Sequence, residues 1–114
     1  MIIEPGEKIH VIVRRRFFDD IRRHFVGEVK ESFDSIVKVQ GYVFILDPSI
    51  NLFVKKPHGQ TRLISLIDSC NIVTIIPTET KLEKLVYKFS ENNRMIVTDG
   101  DAFCMDVNEF GCNR

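Results

Sequence analysis

This chain has no apolar run that approaches the roughly 20 residues of a membrane-spanning helix. Its first residues also lack the basic segment and apolar run of a secretory signal, so we expect a soluble, cytoplasmic protein with no membrane contact. The cysteines Cys70, Cys104 and Cys112 form no CxxC pair and are irregularly spaced, which argues against a disulfide framework or a zinc site. We therefore expect ordinary thiols, no metal and no cofactor.

Motifs of catalysis and nucleotide binding are missing as well. The sequence contains no HExxH, GxSxG, P-loop or GxGxxG pattern. Its three histidines stand far apart, and none has the spacing of a metal ligand. Asp99, Asp101 and Asp106 coincide with a predicted turn, where aspartate is common because its side chain bonds nearby backbone groups. These absences favour a binding protein over an enzyme.

What is present fits one globular domain. A chain of 114 residues with 44% hydrophobic and 28% charged residues has the size and composition of a single core. The net charge is zero, but residues 1–62 hold eleven Lys/Arg against eight Asp/Glu, and residues 63–114 hold five against eight. An anion-binding surface is therefore expected in the first half of the chain.

Short runs rich in β-branched and aromatic residues predict strands. Pro48 and Pro77 end two of these runs, and Gly27 indicates a sharp bend within another. No helical pattern separates the runs, so they favour a small, strongly bent five-stranded barrel over a βαβ sheet. The predicted strands are residues 9–18, 24–32, 36–46, 61–67 and 71–76, with residues 50–54 as an optional extension of the sheet.

The pattern changes after Pro77. Leu82, Leu85, Val86 and Phe89 fall at i, i+3, i+4 and i+7, and Thr80 with Glu83 has the spacing of a capping box, which predicts an amphipathic helix. Residues 94–98 and 101–107 then predict a hairpin around a type I′ Asp-Gly turn. The chain is thus predicted as a barrel over residues 1–77 with a helix-plus-hairpin appendage over residues 78–114, together one compact unit.

Two groups of basic residues are candidates for phosphate contact, because guanidinium groups offer planar bidentate donors. The first group is the run Arg14-Arg15-Arg16 with Arg22, Arg23 and His24; on a strand, Arg14 and Arg16 face one side and Arg15 the other, so the run is not one patch. The second group surrounds a Pro/Gly loop, where a merely solvated loop is the alternative interpretation. It consists of Lys55, Lys56, His58 and Arg62.

Two segments carry a family resemblance. Residues 26–34, VGEVKESFD, place a glycine in the second strand and Phe-Asp at the following turn; residues 67–72, IDSCNI, precede and begin the last apolar strand. Over residues 8–77 the chain resembles the Sm-like (LSm) family, in the manner of a divergent bacterial or phage member. The resemblance implies a mainly β fold, a small SH3-type barrel.

The resemblance also implies assembly and a ligand. Family members form rings of five to seven copies through their fourth and fifth strands, here residues 62–67 and 71–76, so we expect a homo-oligomeric ring. The family's RNA-contacting positions fall at Ile36, Lys38, Asp68 and Asn71, of which only Asn71 keeps the family residue. Asp68 places an anion where the family has a cation, which disfavours a polyanion at that point.

We therefore expect a non-catalytic oligomeric module that binds RNA or a ribonucleoprotein partner. The residues expected to contact RNA are Lys38, Asn71, Arg14, Arg16, Lys55, Lys56 and Arg62. The alternative is a scaffold ring that engages proteins through its acidic C-terminal part and never touches RNA. An enzyme acting on a small ligand is a third, weaker hypothesis, because no nucleophile and base are visible.

Overall fold

A computed structural model describes residues 2–14, 17, 19–68 and 70–107. These residues form two antiparallel sheets and a single 3-10 turn, Leu82–Lys84, which confirms a mainly β protein. The strands are β1 (Lys8–Val13), β2 (Arg23–Phe33), β3 (Ile36–Asp47), β4 (Leu52–Lys55), β5 (Gln60–Ser65), β6 (Asn71–Ile76), β7 (Val86–Phe89), β8 (Met95–Thr98) and β9 (Cys104–Asp106).

The first sheet has the order β4-β3-β2-β1-β6, and β5 lies beside the first half of β3. β3 is long enough to serve two neighbours, because residues 36–41 pair with β5 and residues 44–47 pair with β4. β3 ends at Asp47 and β6 at Ile76, each directly before a proline. Proline has no N–H to donate to the ladder, so both predicted strand ends are confirmed.

Two glycines allow β2 and β3 to approach closely. Gly27 and Gly41 are direct partners in the ladder. A Cβ atom on Gly41 would lie 1.9 Å from the carbonyl oxygen of Val26, far inside van der Waals contact. The register also shifts between Val29 and Glu31, which marks a bulge where the strand bends. The glycine signal in the second predicted strand therefore corresponds to a real steric requirement.

The inner core lies on the concave side of this sheet. Alternate residues along the strands point into it, as the two-residue period of a strand requires. Edge strands β5 and β6 both reach this core, through Ile64 and the half-buried Val73, so the sheet curls around it. β5 and β6 do not pair, so the described strands do not close into the predicted five-stranded barrel. The buried members are Ile3, Ile9, Val11, Phe25, Val29, Val37, Val39, Val43 and Ile64.

A second core joins the outer face of this sheet to the sheet β7-β8-β9. Val26, Phe44 and Phe53 come from the first sheet, and Tyr87 and Val97 from the second. The alternate residues of β2 and β3 are thus apolar on both faces, because both faces of these strands are covered. This outer core fixes the place of the buried polar cluster described below.

The predicted amphipathic helix at residues 82–89 is wrong. Only Leu82–Lys84 makes a 3-10 turn, and Leu85 is already extended with φ −67° and ψ 133°. Leu85 and Tyr87 are buried while Val86 is 53% exposed, which is the period of a strand. Valine, tyrosine and phenylalanine favour pairing with β8, and that tertiary contact outweighs the helical spacing.

The predicted capping box is wrong for the same reason. Thr80 does not cap the turn; the residue at its N-cap is Lys81, with no side-chain cap. Thr80 is instead fully buried, and its carbonyl oxygen accepts a hydrogen bond from Lys8 Nζ at 2.6 Å. The segment after Pro77 therefore docks on β1 as extended chain rather than starting a helix.

The predicted hairpin exists, but its turn is different. β8 and β9 pair, separated by residues 99–103 rather than by a two-residue turn. A type I′ turn needs positive φ at both central residues, and Gly100 has it (φ 81°) whereas Asp99 does not. The Asp99 carboxylate instead accepts N–H groups of Asp101 and Phe103 at 2.9 and 3.0 Å, which holds a wider loop.

The first predicted strand, residues 9–18, is too long. β1 ends at Val13, and Asp20 ends a turn in which its carboxylate accepts the N–H of Phe17 at 3.0 Å. Aspartate side chains compete with strand ladders by such local bonds. The predicted strand at residues 61–67 likewise ends early, at Ser65.

Candidate functional site

The residues that the Sm-like resemblance placed at an RNA site lie at one end of the curled sheet. Ile36 of β3 faces Ser65 of β5 across the ladder. The carbonyl oxygen of Ser65 in turn accepts a hydrogen bond from the Asn71 side-chain amide at 3.4 Å. Lys38 follows Ile36 on the same face of β3 and lies opposite Leu63. Ser65 thus links Ile36 and Asn71, whereas Lys38 lies two positions farther along β3.

Phe33 adds an exposed aromatic ring to this end of the sheet. It is the cross-strand partner of Ile36, at the end of β2, and is 77% exposed. Sequence reasoning named Phe33 only among several aromatics that might stack bases. The adjacent Asp34 has φ 53° in the turn between β2 and β3, which places Phe33 at the end of β2.

Two acidic groups reduce the positive charge at this end. Glu31 Oε2 lies 3.4 Å from Lys38 Nζ in an exposed ion pair. Asp68 Oδ1 accepts the backbone N–H of Cys70 at 2.8 Å, which fixes the turn before β6. Asp68, which stands where the Sm-like family has a cation, therefore has a local structural role. A phosphate could bind Lys38 only if the Lys38–Glu31 ion pair opened.

Arg14 belongs to a different feature, a cleft lined by three arginines. Arg14 directly follows β1, and Arg23, the first residue of β2, pairs with Val13. Arg22 lies beside Arg23, and the cleft has a volume of about 80 Å³. Arg15 and Arg16, the other arginines of the predicted run, lie outside the described residues. The described residues that line the cleft are Ile12, Val13, Arg14, Arg22, Arg23, His24, Leu46, Asn51, Phe53 and Met95.

The basic residues of the second predicted group do not form one patch. Lys55 Nζ sits 3.9 Å above the Tyr42 ring and donates a hydrogen bond to the carbonyl oxygen of Glu83 at 2.9 Å. Arg62, on β5, donates two hydrogen bonds to the side-chain oxygen of Gln60, at 3.1 and 2.8 Å. Lys56 is exposed in the loop that follows β4. Lys55 therefore ties the second sheet to the first, and Arg62 lies on a strand edge.

A buried polar cluster under the arginine cleft was not predicted. The Tyr87 hydroxyl lies 2.9 Å from His10 Nε2 and 2.6 Å from His24 Nδ1. The ring of His24 stacks on Phe53 with centroids 4.1 Å apart, and His10 meets His24 edge to face at 5.0 Å. His10 is fully buried, and His24 is 4% exposed. One hydroxyl thus joins two histidines inside the outer core.

Both histidines are neutral at physiological pH. Burial lowers the pKa of His10 from its usual 6.5 to about 4. Burial, and then the neighbouring His10 and Arg22, lower the pKa of His24 to about 3. A charged imidazole in this apolar core would lose its hydration without gaining a counter-ion, so protonation opposes folding. The positive charge of the cleft at neutral pH therefore comes from its arginines.

Sequence reasoning missed the cluster because its three members are separated by up to 77 positions. A usable signal did exist. His10 and His24 occupy the strand faces opposite to the inner-core positions Ile9, Val11 and Phe25, so they share the outer face once β1 and β2 pair. Nothing in the sequence placed Tyr87 over that face, because its segment was predicted as a helix.

The described residues hold no group of three or more His, Cys, Asp or Glu side chains that could bind a metal ion. Among them, Cys70 and Cys104 are free thiols, and Cys112 lies outside the description. No helix in the same residues has the length and apolar character needed to cross a membrane. Comparison with protein-family models, curated proteins and solved structures gives no match.

Proposed function

We propose that this chain is the subunit of a cytoplasmic, homo-oligomeric, Sm-like module that binds RNA without catalysing a reaction. The observation that carries the proposal is a pair of open strand edges. Within the described residues, β5 pairs only with β3 and β6 only with β1, so each of these six-residue strands has one side without a partner. Open edges of this length are a hazard for a monomer, and assembly removes them.

The side chains near these edges suit contact between copies. Leu63 on β5 is 70% exposed, and Ile75 and Ile72 on β6 are 49% and 36% exposed. Pairing β5 of one copy with β6 of the next would be a head-to-tail contact, which generates a ring when the rotation closes. Rings of five to seven copies are what the Sm-like resemblance implies.

The arrangement of the segments that carry the resemblance supports the same proposal. Gly27 lies at the closest approach of β2 and β3, and Phe33 and Asp34 form the turn after β2. Asn71 begins β6 directly after a short turn. The sheet path places the first strand between the second and the last, and strands β1, β2, β3, β5 and β6 contribute to one core.

RNA is the ligand that the exposed residues at this end favour. Phe33 offers a stacking surface, and base stacking on an aromatic ring contributes about 1–3 kcal/mol per base. Lys38, two positions beyond Ile36 on β3, supplies a cation, and the Asn71 amide, bonded to Ser65, supplies a polar group. The apolar Leu63 and Ile67, which is 79% exposed, favour the alternative function, a ring that scaffolds protein partners.

Size-exclusion chromatography with light scattering tests the proposal, run with and without a short U-rich or A-rich RNA at two salt concentrations. We expect a five- to seven-subunit particle that binds RNA more weakly at high salt, because phosphate contacts release counterions. A ring indifferent to RNA would establish the scaffold alternative. A monomer would refute the Sm-like assignment.

The edge contact is tested by Leu63→Lys, because a lysine on an open strand edge blocks pairing. Leu63 is mostly exposed, so the fold itself should survive the change. The matched control is Ile50→Lys, an equally apolar side chain that is 55% exposed in the turn before β4, away from β5 and β6. Dissociation by Leu63→Lys alone is the expected result. Equal effects of the two variants would contradict pairing through β5.

A further inference from the structure

We propose that a groove between β4 and the segment leading into β7 binds an extended, acidic peptide of a partner protein. The peptide adds to the open edge of β4 and inserts an apolar side chain beside Leu85. The groove is lined by residues 53–55 of β4, Phe44 of β3 and residues 83–87. This site requires neither a ring nor RNA, so it goes beyond the proposed function.

The first argument is the open edge of β4. In the described part of the chain, β4 pairs only with β3. The Lys56 N–H donates to the carbonyl oxygen of Val43 at 2.8 Å, which continues this ladder one residue past β4. Because bonded and non-bonded pairs alternate in an antiparallel ladder, the main-chain groups of Phe53 and Lys55 point away from β3. Their N–H and C=O groups are therefore available to an added strand.

The second argument is that the groove runs along this edge. Phe53 and Val54 are neighbours on β4, so their side chains point to opposite faces of the sheet, yet both line the groove. Leu85 and Val86 do the same on the opposite wall, where Leu85 is buried and Val86 is 53% exposed. A groove that touches both faces of a strand lies along its edge. A strand added to β4 would therefore occupy the groove.

The third argument is that the groove has apolar room for a side chain. Phe44, Phe53 and Leu85 belong to the outer core and line the groove at its base. Its volume is about 350 Å³, and small-molecule sites have roughly 300–1,000 Å³. Val54 and Val86, at the rim, are 44% and 53% exposed. A large apolar side chain would cover both valines, whereas a wholly polar ligand would leave them in water.

The fourth argument is charge. Residues 52–56 and 83–89 together hold four lysines and one acidic residue, Glu83. Lys84 lines the groove, Lys56 directly follows β4, and Lys88 lies two positions beyond Val86 on β7. The ammonium groups of these three lysines make no ion pair or hydrogen bond with another described residue. Such a surface attracts anions, and of the anionic polymers only a peptide can also pair with the β4 edge.

Fluorescence anisotropy tests the inference with two labelled nine-residue peptides, in which leucine and phenylalanine alternate with glutamate in one and with lysine in the other. We expect the glutamate peptide to bind at least tenfold more tightly. The double change Lys56→Glu with Lys84→Glu should weaken its binding at least tenfold, and the fold should persist because both side chains are exposed. The matched control, Arg14→Glu with Arg23→Glu, reverses two exposed charges at the arginine cleft and should change affinity less than twofold. Equal weakening by the two double variants would overturn the inference.

Methylation of the peptide amides tests strand addition directly. Alternate amides of an added strand face β4, and the others face away. Methylating one alternate set in the glutamate peptide should abolish binding, and methylating the other set should change affinity less than threefold. Equal effects of the two sets would overturn addition to the β4 edge.

Two further measurements separate this site from other occupants. Displacement of the glutamate peptide by a short U-rich RNA would assign the lysines to nucleic acid and overturn the inference. A lower particle mass for the Lys56→Glu, Lys84→Glu variant in light scattering would make the groove a contact between copies, which also overturns it. Peptide binding retained in the Leu63→Lys variant would support the groove even if the ring proposal fails.

Discussion

The Tyr87 hydroxyl is the group whose removal tests the buried cluster most directly. Tyr87→Phe keeps the ring, which packs against Phe44 and Phe53 with centroids 4.9 and 5.0 Å away. It removes both hydrogen bonds to the histidines and leaves their nitrogens inside the outer core. A buried polar group without a partner costs about 1–3 kcal/mol. Because each imidazole can change tautomer and present an acceptor, we expect a loss of about 2–4 kcal/mol in the free energy of unfolding.

Urea denaturation at pH 7.5 measures this loss, and the second tyrosine of the chain gives the matched control. Tyr42 is half-buried against the same core, and its hydroxyl makes no hydrogen bond within the described residues. Tyr42→Phe should therefore change stability by less than about 0.5 kcal/mol, as substitutions away from such networks do. If Tyr87→Phe were as mild as Tyr42→Phe, the hydroxyl would not hold the histidines.

Two further predictions follow from the same cores. The free energy of unfolding should fall as the pH drops from about 6.5 toward 4, because the unfolded chain protonates His10 and His24 near 6.5 whereas the folded chain holds their pKa values at about 4 and 3. The slope should approach roughly 2.7 kcal/mol per pH unit. Urea midpoints that do not change with pH would contradict burial of the pair. Gly41→Ala should lower the free energy of unfolding by about 3 kcal/mol or more, because the new Cβ would lie 1.9 Å from the Val26 oxygen. Gly100→Ala, with nothing within 4 Å of the new Cβ and φ 81°, should lower it by only about 1–2 kcal/mol. Similar urea midpoints for the two variants would argue against close packing at Gly41.

The strands of the first sheet were predictable because their signals are local. Proline after Asp47 and Ile76 fixes two strand ends, and the two-residue alternation of β2 and β3 assigns their faces. The second sheet was not predictable in the same way. Residues 82–89 have the spacing of a helix, but residues 86–89 form a strand because they pair with Met95–Thr98. That decision depends on a contact between segments, which a local pattern does not contain.

The candidate sites also differ in how far local sequence patterns predict them. Asn71 and Lys38 were predicted from short motifs; Asn71 bonds Ser65, the cross-strand partner of Ile36, whereas Lys38 lies two positions farther along β3, opposite Leu63. Lys55 and Arg62 were named as a candidate positive spot because they are close in sequence, with a solvated loop as the alternative; in the structure Lys55 packs on Tyr42 and Arg62 bonds Gln60. β4 and β5 run in the same direction along one edge of β3, where Lys55 lies opposite Phe44 and Arg62 opposite Val39, so the two residues lie apart.

The arginine cleft shows what a sequence pattern leaves undetermined about charge. The run Arg14-Arg15-Arg16 reads as a strand with alternating faces, which disperses its charge. In the structure β1 ends at Val13, and the pairing of Val13 with Arg23 places the end of β1 and the start of β2 at the same cleft. The same two strands carry His10 and His24 on their outer face, and β7 closes over them with Tyr87. The charge of the cleft and the polarity beneath it therefore both arise from the pairing of β1 with β2. A change that shifts this register by one residue would exchange the inner and outer faces of a strand, and would remove both the cleft and the cluster at once.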